Sequence, residues 1–460
     1  MPKRATHRLL FFAVIAVGLL AAAGCAPKQP RNLLFIVVDT LRADRLGCYG
    51  SGRDTSPAVD ALAAEAVRFD RAYATAPWTR PSIASMLTGL YPSSHGARLV
   101  NQLLPRTVAT LAEMLQAEGF TTAGVISHGV ISRKAGFARG FDRFQESEAR
   151  GHEHISTAGV TRQATEELEA LAGEGQPFFL FVHYFDPHYR WNRYDEAGFA
   201  ADRAGRLDGS QSIWEIREIR QDLSGEELGF IRDLYDEEIR RTDTGVGQLL
   251  DRLHDLGLDS ETLVVFTADH GEEFMEHGWI GHTRALYEEL VRVPLLIRPP
   301  SGSPAVIAQP VSLVSLAPTI LELLCGPGLV GEYLLQGPSL APLLRGESGI
   351  EDDPGVFIEV EFEQPESYAA EKTAYKKAVL EGPWKLIRDE NDGSLELYDL
   401  EADPGEQQNL AGIRPKIRGR LLTRLEQRAG ELEADAATPS LLDLDEKELE
   451  QLRGLGYIED

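Results

Sequence analysis

Asp39 stands at the end of the apolar run NLLFIVVD (32–39). His183 and Asp186 close PFFLFVHYF (177–185) and its turn, and Asp269-His270 close TLVVFTAD (262–269). HYFDPH adds His188, and EHGWIGH adds His277 and His282. In WTRPSIASMLTG (78–89), Thr79 and Arg80 precede Pro81. Proline is tolerated in the first helical turn, where no amide donor is needed, so this stretch reads as a helix start. The Thr79 hydroxyl then lies in the positive field of a helix N-terminus. It has two possible uses there, capping the helix or attacking a substrate. From this stretch alone capping is the plainer use. The acids and imidazoles carry their own constraint: a bare cluster of them is costly to bury without a cation.

Between about residues 32 and 300, short apolar runs alternate with amphipathic stretches. TTAGVIS (121–127) and PLLIRPP (294–300) complete the set of runs. Continuous rather than alternating apolarity suits parallel strands buried on both faces. SPAVDALAAEAVRF, TVATLAEMLQAEG and GFIRDLYDEEIRRTDTGVGQLLDRLHDLG have helical spacing, the last two ending at Gly119 and near Gly257. Strands alternating with helices predict an α/β fold with a doubly wound, mostly parallel sheet. Ligands bind such sheets outside the carboxyl ends of the strands. The ends carrying Asp39, His183 with Asp186, and Asp269-His270 would therefore meet at one edge.

After about residue 350, YKKAVLEGPWKLIRD and SLELYDLEADPGEQQNL read as short antiparallel strands turning at Gly382-Pro383 and Asp392-Gly393. The expected organisation is a signal segment over 1–24, a catalytic domain over 31–348, an antiparallel α+β subdomain over 349–425 and an acidic helical tail over 426–460. A basic MPKRATHR, an apolar LLFFAVIAVGLLAAAG and then Cys25 read as an export signal of lipoprotein type. Cleavage there would remove Lys3, Arg4 and Arg8 and take the net charge from −26 to −29. So acidic a surface repels nucleic acid and anionic lipid, which leaves an N-terminal lipid or signal anchor as the one expected membrane contact. It also means that an anionic substrate must find its positive charge inside the site. Cys48 and Cys325 are too few and too far apart for a disulfide framework.

Five stretches in order, NLLFIVVDTLRADRLGCYG, TRPSIASMLTGLYPSSHG, TLVVFTADHGEEFMEHG, LYEELVRVPLLI and ELYDLEADPGEQQNL, resemble the sulfatase branch of the alkaline-phosphatase superfamily. The resemblance implies an alkaline-phosphatase-like sheet, and the N-terminal pattern implies an exported bacterial protein of the cell envelope, periplasmic or lipid-anchored. It implies metal ligation by Asp39, Asp269 and His270, with the Thr79 oxygen completing the set. It also implies that His188 contacts the transferred group or leaving oxygen as a donor or general acid. His183 would orient a neighbour at the substrate, and Arg80 would assist anion binding.

The departures from the family pattern matter as much. Sulfatases oxidise a Cys or Ser to formylglycine within C/S-x-P-x-R; here those positions hold Thr79, Pro81 and Ile83. Oxidising the secondary carbon of threonine could give only a methyl ketone, so no hydrated aldehyde should form. Related phosphodiesterases and phosphoethanolamine transferases use threonine here as a direct, metal-activated nucleophile. Thr40 replaces a second aspartate, and Asp269-His270 replaces Asp-Asn. This loss of a carboxylate and gain of an imidazole moves preference from calcium, the family's expectation, towards zinc or manganese. His282 stands where a lysine is common and would take over charge stabilisation, or bind a second metal with His277.

The resulting expectation is a divalent-metal hydrolase of an anionic phosphate or sulfate ester on a small molecule, glycan or lipid. Phosphate ester cleavage through Thr79 is favoured. True sulfate ester hydrolysis, phosphoryl transfer to an envelope glycan or lipid, and an inactive ligand-binding homologue are the alternatives. Arg42 with Asp44 is expected to fix a loop, and His152 and His154 to lie in a solvated one. The stretches 190–223 and 363–373 would set specificity.

Overall fold

The computed structural model describes residues 30–149, 156–191, 198–200, 203–347, 349–350, 354–363 and 374–458. The signal segment 1–24, Cys25, His152, His154, part of 190–223 and most of 363–373 lie outside the described residues.

Thirteen strands build the two larger sheets. In chain order they are β1 (Asn32–Val38), β2 (Val67–Tyr73), β3 (Thr121–Val125), β4 (Arg143–Gln145), β5 (Phe178–Tyr184), β6 (Thr262–Ala268), β7 (Arg292–Arg298), β8 (Ala305–Ile307), β9 (Val311–Ser312), β10 (Val356–Phe362), β11 (Ala374–Glu381), β12 (Trp384–Asp389) and β13 (Leu395–Asp399). The large sheet runs β8-β2-β7-β6-β1-β5-β3-β4, with β9 beside β2. Helices cover it, among them α1 (Thr79–Thr88), α2 (Thr157–Glu174) and α3 (Gly225–Asp255). Every residue of β1, β5 and β6 is buried, as their unbroken apolar runs demand.

Register decides where the chemistry falls. Val38 pairs with Tyr184 on one side and Ala268 on the other, both parallel. The residues just beyond, Asp39, the turn after Tyr184, and Asp269-His270, therefore leave the sheet at one level. Val125 pairs with Val182, so the chain after β3 arrives at the same edge. β7 is antiparallel to both β6 and β2, so β2 again runs the way β1 does. Its end at Tyr73 thus delivers the chain to α1 on the catalytic side.

Two sequence readings are corrected here. PLLIRPP lies in an antiparallel strand, whose buried core looks in sequence like a parallel one. SPAVDALAAEAVRF is helical only over Pro57–Ala63, and its end opens β2. The alternating pattern of VRFDRAY, aromatic and β-branched on one face, outweighs the helical spacing before it.

β10 to β13 form a four-stranded antiparallel sheet with turns at Gly382 and Gly393, both at positive φ. Helix α4 (Pro415–Ala434) packs Leu421, Leu425, Ala429 and Leu432 onto Phe357, Val379, Leu386 and Leu397. The boundary expected at 425/426 therefore falls inside a helix. The chain beyond it is not a free tail: Ser440–Leu441 pairs with Gln102–Leu103, and α5 (Glu446–Gly454) returns to the catalytic domain. Lys385, with no exposed side chain, is sandwiched between Glu288 of the main domain and Glu406, 3.0 Å from each. Cys48 and Cys325 are free and partly buried. No helix among the described residues is long and apolar enough to cross a membrane.

Candidate active site

Trp78, in extended conformation, holds the N-cap position with no side-chain capping bond, and Thr79 is the first residue inside α1. Capping is therefore not its use. Its Oγ1 lies instead 3.4 and 3.5 Å from the Asp39 carboxylate oxygens, 3.4 Å from His270 Nε2 and 3.4 Å from the Tyr457 hydroxyl. Asp39, Thr79, Asp269 and His270 are all fully buried.

The ligand atoms of Asp39, Asp269 and His270 lie within 4.8 Å of one another. Burial, with the charges of Asp269 and Glu272, pushes Asp39 well above the usual carboxylate range. Burial likewise raises Asp269 and Glu272 and depresses His270. Asp269 Oδ1 accepts from the Thr40 and His270 amides, while Oδ2 has no hydrogen-bond partner. His270 Nδ1 meets the Gly271 carbonyl at 2.9 Å, which requires the proton on Nδ1 and leaves the Nε2 lone pair facing the cluster. Buried carboxylates, an orphaned oxygen and an oriented imidazole lone pair fit a divalent cation.

Three further sequence candidates gather round this centre. His183 is buried with Nε2 3.6 Å from Asp39, and burial lowers it to about 3, which keeps the ring neutral beside Asp39. His188 stacks on Phe185, and its Nδ1 meets the Tyr189 carbonyl at 2.7 Å, so its Nε2 donates only as imidazolium. His282 lies 4.5 Å from His270 and 5.0 Å from His188 between ring centroids, with Nδ1 3.0 Å from Glu272. A carboxylate behind an imidazole fixes its orientation.

Two candidates are elsewhere. Arg80 is buried, and its guanidinium donates to the carbonyls of Val130, Leu99, Val100 and Gln102. Burial brings it down to about 10. It ties loops together and does not reach an anion at Thr79, because adjacent residues at a helix start point in different directions. His277 belongs to a separate group with Glu273 and Glu289, bonded to Glu289 at 2.7 Å and stacked on Tyr287. Its polar partners are thus Glu273 and Glu289 and not the Asp39–Asp269–His270 cluster that His282 faces, which gives no support to the alternative of a second metal shared by His277 and His282. Arg42 pairs with Asp44 and Glu276, 2.8 Å from each, and holds the loop after β1. Asp186 anchors the start of α2 through the Thr157 amide.

Sequence reading missed His128, Glu272 and Tyr457. His128 Nε2 is 3.9 Å from Asp39 and 3.4 Å from the Tyr457 hydroxyl. Its position past the end of TTAGVIS was a usable signal. So was Glu272, two residues beyond His270. Tyr457 carried none, lying 378 residues from Thr79.

A hydroxyl at a helix N-terminus, beside a carboxylate–imidazole cluster at the carboxyl edge of a doubly wound sheet, defines a metal-assisted ester hydrolase. The sulfatase family profile matches residues 31–327, and the chain belongs to that family. A profile described as N-sulphoglucosamine sulphohydrolase, C-terminal, matches 275–434. The chain is 26% identical to N-acetylglucosamine-6-O-sulfatase of Bacteroides thetaiotaomicron, over 87% of each chain. It superposes with TM-score 0.71 and 24% identity on a protein solved with its substrate D-glucosamine-2-N,6-O-disulfate, covering 88% of this chain and 99% of that one. Against the phosphonate monoester hydrolase of Agrobacterium radiobacter the TM-score is 0.67 at 21% identity, over 91% of this chain and 99% of that one.

Proposed function

We propose that this chain hydrolyses an anionic ester, a phosphate ester in preference to a sulfate, with Thr79 as the direct nucleophile. The observation that carries the reading is the Thr79 hydroxyl, turned away from its helix and held 3.4–3.5 Å from Asp39 and His270. A divalent ion held by Asp39, Asp269, His270 and the Thr79 oxygen would lower the hydroxyl's pKa and offset the charge of alkoxide and substrate. The imidazole in this set favours zinc or manganese over calcium.

The remaining roles belong to the side chains. With the His270 lone pair given to the ion, an Asp39 carboxylate oxygen, 3.4–3.5 Å from Thr79 Oγ1, is the acceptor for the Thr79 proton. His188 and His282 line the site, and in the imidazolium form their Nε2 atoms would donate to the transferred group and the leaving oxygen, Glu272 steadying His282. The α1 N-terminus adds its positive field, which answers the need for local cationic character in so acidic a chain. Water then resolves the ester formed on threonine. A phospho-threonine permits this, whereas a sulfo-threonine lacks the release route of a hydrated aldehyde.

The leaving group is an alcohol on a small molecule, glycan or lipid. A sugar is favoured by the relatives whose names specify glucosamine sulfates. The signal-like N-terminus supports a bacterial cell-envelope enzyme, for which Cys25 would be the site of a lipid anchor. Sulfate ester hydrolysis is the second reading, favoured by the sulfatase profile itself. Matched aryl phosphate and aryl sulfate esters, assayed with the parent chain and Thr79→Ala, separate the two. Phosphate turnover that vanishes in Thr79→Ala supports the proposal, and turnover surviving in that variant removes Thr79 from the chemistry.

A further inference from the structure

The reactive centre is covered by Tyr457, from the segment 440–458 of the same chain. Tyr457 has no exposed surface, and its hydroxyl stands 3.4 Å from Thr79 Oγ1. Its ring packs among Trp78, His282, His128 and His188, at centroid separations of 5.8 to 6.2 Å. Asp39, His270 and Tyr457 all stand 3.4–3.5 Å from the Thr79 oxygen. A reacting phosphorus or sulfur must come within about 3–3.5 Å of the nucleophile. The phenol already occupies that distance, and Thr79, Asp39, Asp269, His270 and His282 are wholly shielded from solvent.

The segment carrying Tyr457 is tied to the main domain by short polar contacts and by a buried apolar end. Ser440–Leu441 forms a two-residue pairing with Gln102–Leu103, and the Leu442 amide donates to Asn101 at 2.7 Å. α5 is held at its ends, by Lys134 to Glu448 and by Trp214 Nε1 to the Arg453 carbonyl at 3.0 Å. Arg217 donates to the Gly456 carbonyl at 3.3 Å. Between the inner face of α5 and the loop from Gly129 to Lys134 lies a cleft of about 310 Å³, lined by Leu444, Gln451 and Leu455 among others. Leu452, Leu455, Tyr457 and Ile458 plug into the main core, while the cleft leaves the face of the segment around Leu444 and Gln451 incompletely packed, so that opening has to withdraw this apolar end as one local unit.

The geometry points to residues 440–458 as an internal strap that holds Tyr457 in the place of an incoming ester and must swing out before substrate reaches Thr79. The inference rests on Thr79 being the reacting residue. Its test reads access to that position instead of turnover, so its failure is distinct from failure of the proposed chemistry.

Gly456 offers a way to loosen the strap without touching the metal or imidazole groups. It sits at φ +71°, and a Cβ there would fall 2.9 Å from the Tyr189 hydroxyl and 3.2 Å from Arg217. In a metal-loaded full chain carrying Thr79→Cys, alkylation of the introduced thiol by iodoacetamide is followed by peptide mass spectrometry, with Cys48 and Cys325 as internal references. Adding Gly456→Ala or Tyr457→Gly is expected to speed labelling at position 79 at least tenfold while the reference thiols keep their rates. Equal labelling at position 79 with and without these changes overturns the strap. Should Thr79→Cys not fold, amide exchange of the unaltered chain decides the matter. Residues 446–458 are expected to exchange at least tenfold faster than α1 beneath them, and equal protection overturns it. So does a Tyr457→Phe chain that folds normally but loses turnover, since the phenol would then be part of the chemistry.

Discussion

Asp39→Asn tests the electrostatics of the centre, because Asp39, Asp269 and Glu272 share one dry volume. The ligand atoms of Asp39 and Asp269 lie within 4.8 Å of each other. At that separation two unit charges in an effective dielectric of about 20 repel by roughly 3 kcal/mol. A chain without its ion carries this cost, either as repulsion or as the work of keeping a proton on a buried acid. The amide keeps the shape of the side chain and removes the charge. In excess chelator the variant is therefore expected to be more stable than the parent by about 1–3 kcal/mol. With metal the order reverses: an ion at a hundred times its Kd adds about 2.7 kcal/mol to the parent, and the variant, short of a carboxylate ligand, gains much less. Urea unfolding with EDTA and with zinc, manganese or calcium reads both halves, provided the slope with denaturant is unchanged. A variant less stable than the parent under both conditions would mean that Asp39 serves structure, and would refute the reasoning.

Arg80→Ala is expected to cost about 3 kcal/mol or more, because buried carbonyls lose their shared donor, while KM of the folded fraction stays unchanged. Urea unfolding beside steady-state kinetics checks this, and a raised KM at unchanged stability would return Arg80 to the substrate. His277 is buried enough to lose some affinity for its proton, but the hydrogen bond and charge of Glu289 outweigh this and lift it to about 9. Its contribution is full below its unfolded value of about 6.5 and is lost as pH rises through about 9, so His277→Gln should destabilise by at most about 3 kcal/mol at pH 6 and hardly at all near pH 10. A destabilisation independent of pH contradicts that assignment. Lys385→Met leaves Glu288 and Glu406 facing each other in the interior and should cost about 3–5 kcal/mol, read by thermal unfolding. Adding Glu406→Gln should recover part of it, and no recovery would show that the charge pairing is not what Lys385 supplies.

The sheet was legible because its central strands are apolar on both faces, and unbroken runs such as NLLFIVV and TLVVFTA have few other uses. Asp39 and Asp269-His270 were legible for a related reason: a polar residue ending such a run must leave the sheet at its edge. Direction was not legible. PLLI and FLFV look alike, and only pairing shows that the former runs antiparallel. Side-chain aim was equally hidden, so Arg80, next to Thr79 in sequence, was assigned to an anion although its guanidinium turns to four backbone carbonyls. Tyr457 was out of reach altogether, since nothing in LRGLGYIED indicates that its phenol returns to a helix start 378 residues earlier.

The account stands on Thr79 forming a bond to the transferred group. Rapid quenching of metal-loaded protein during turnover of a phosphate ester, followed by intact-mass and peptide mass spectrometry, tests this directly. The account predicts one phosphoryl group on the peptide bearing Thr79, absent from Thr79→Ala. Continued turnover with that peptide never modified, or a phosphoryl group found on another side chain, would contradict it.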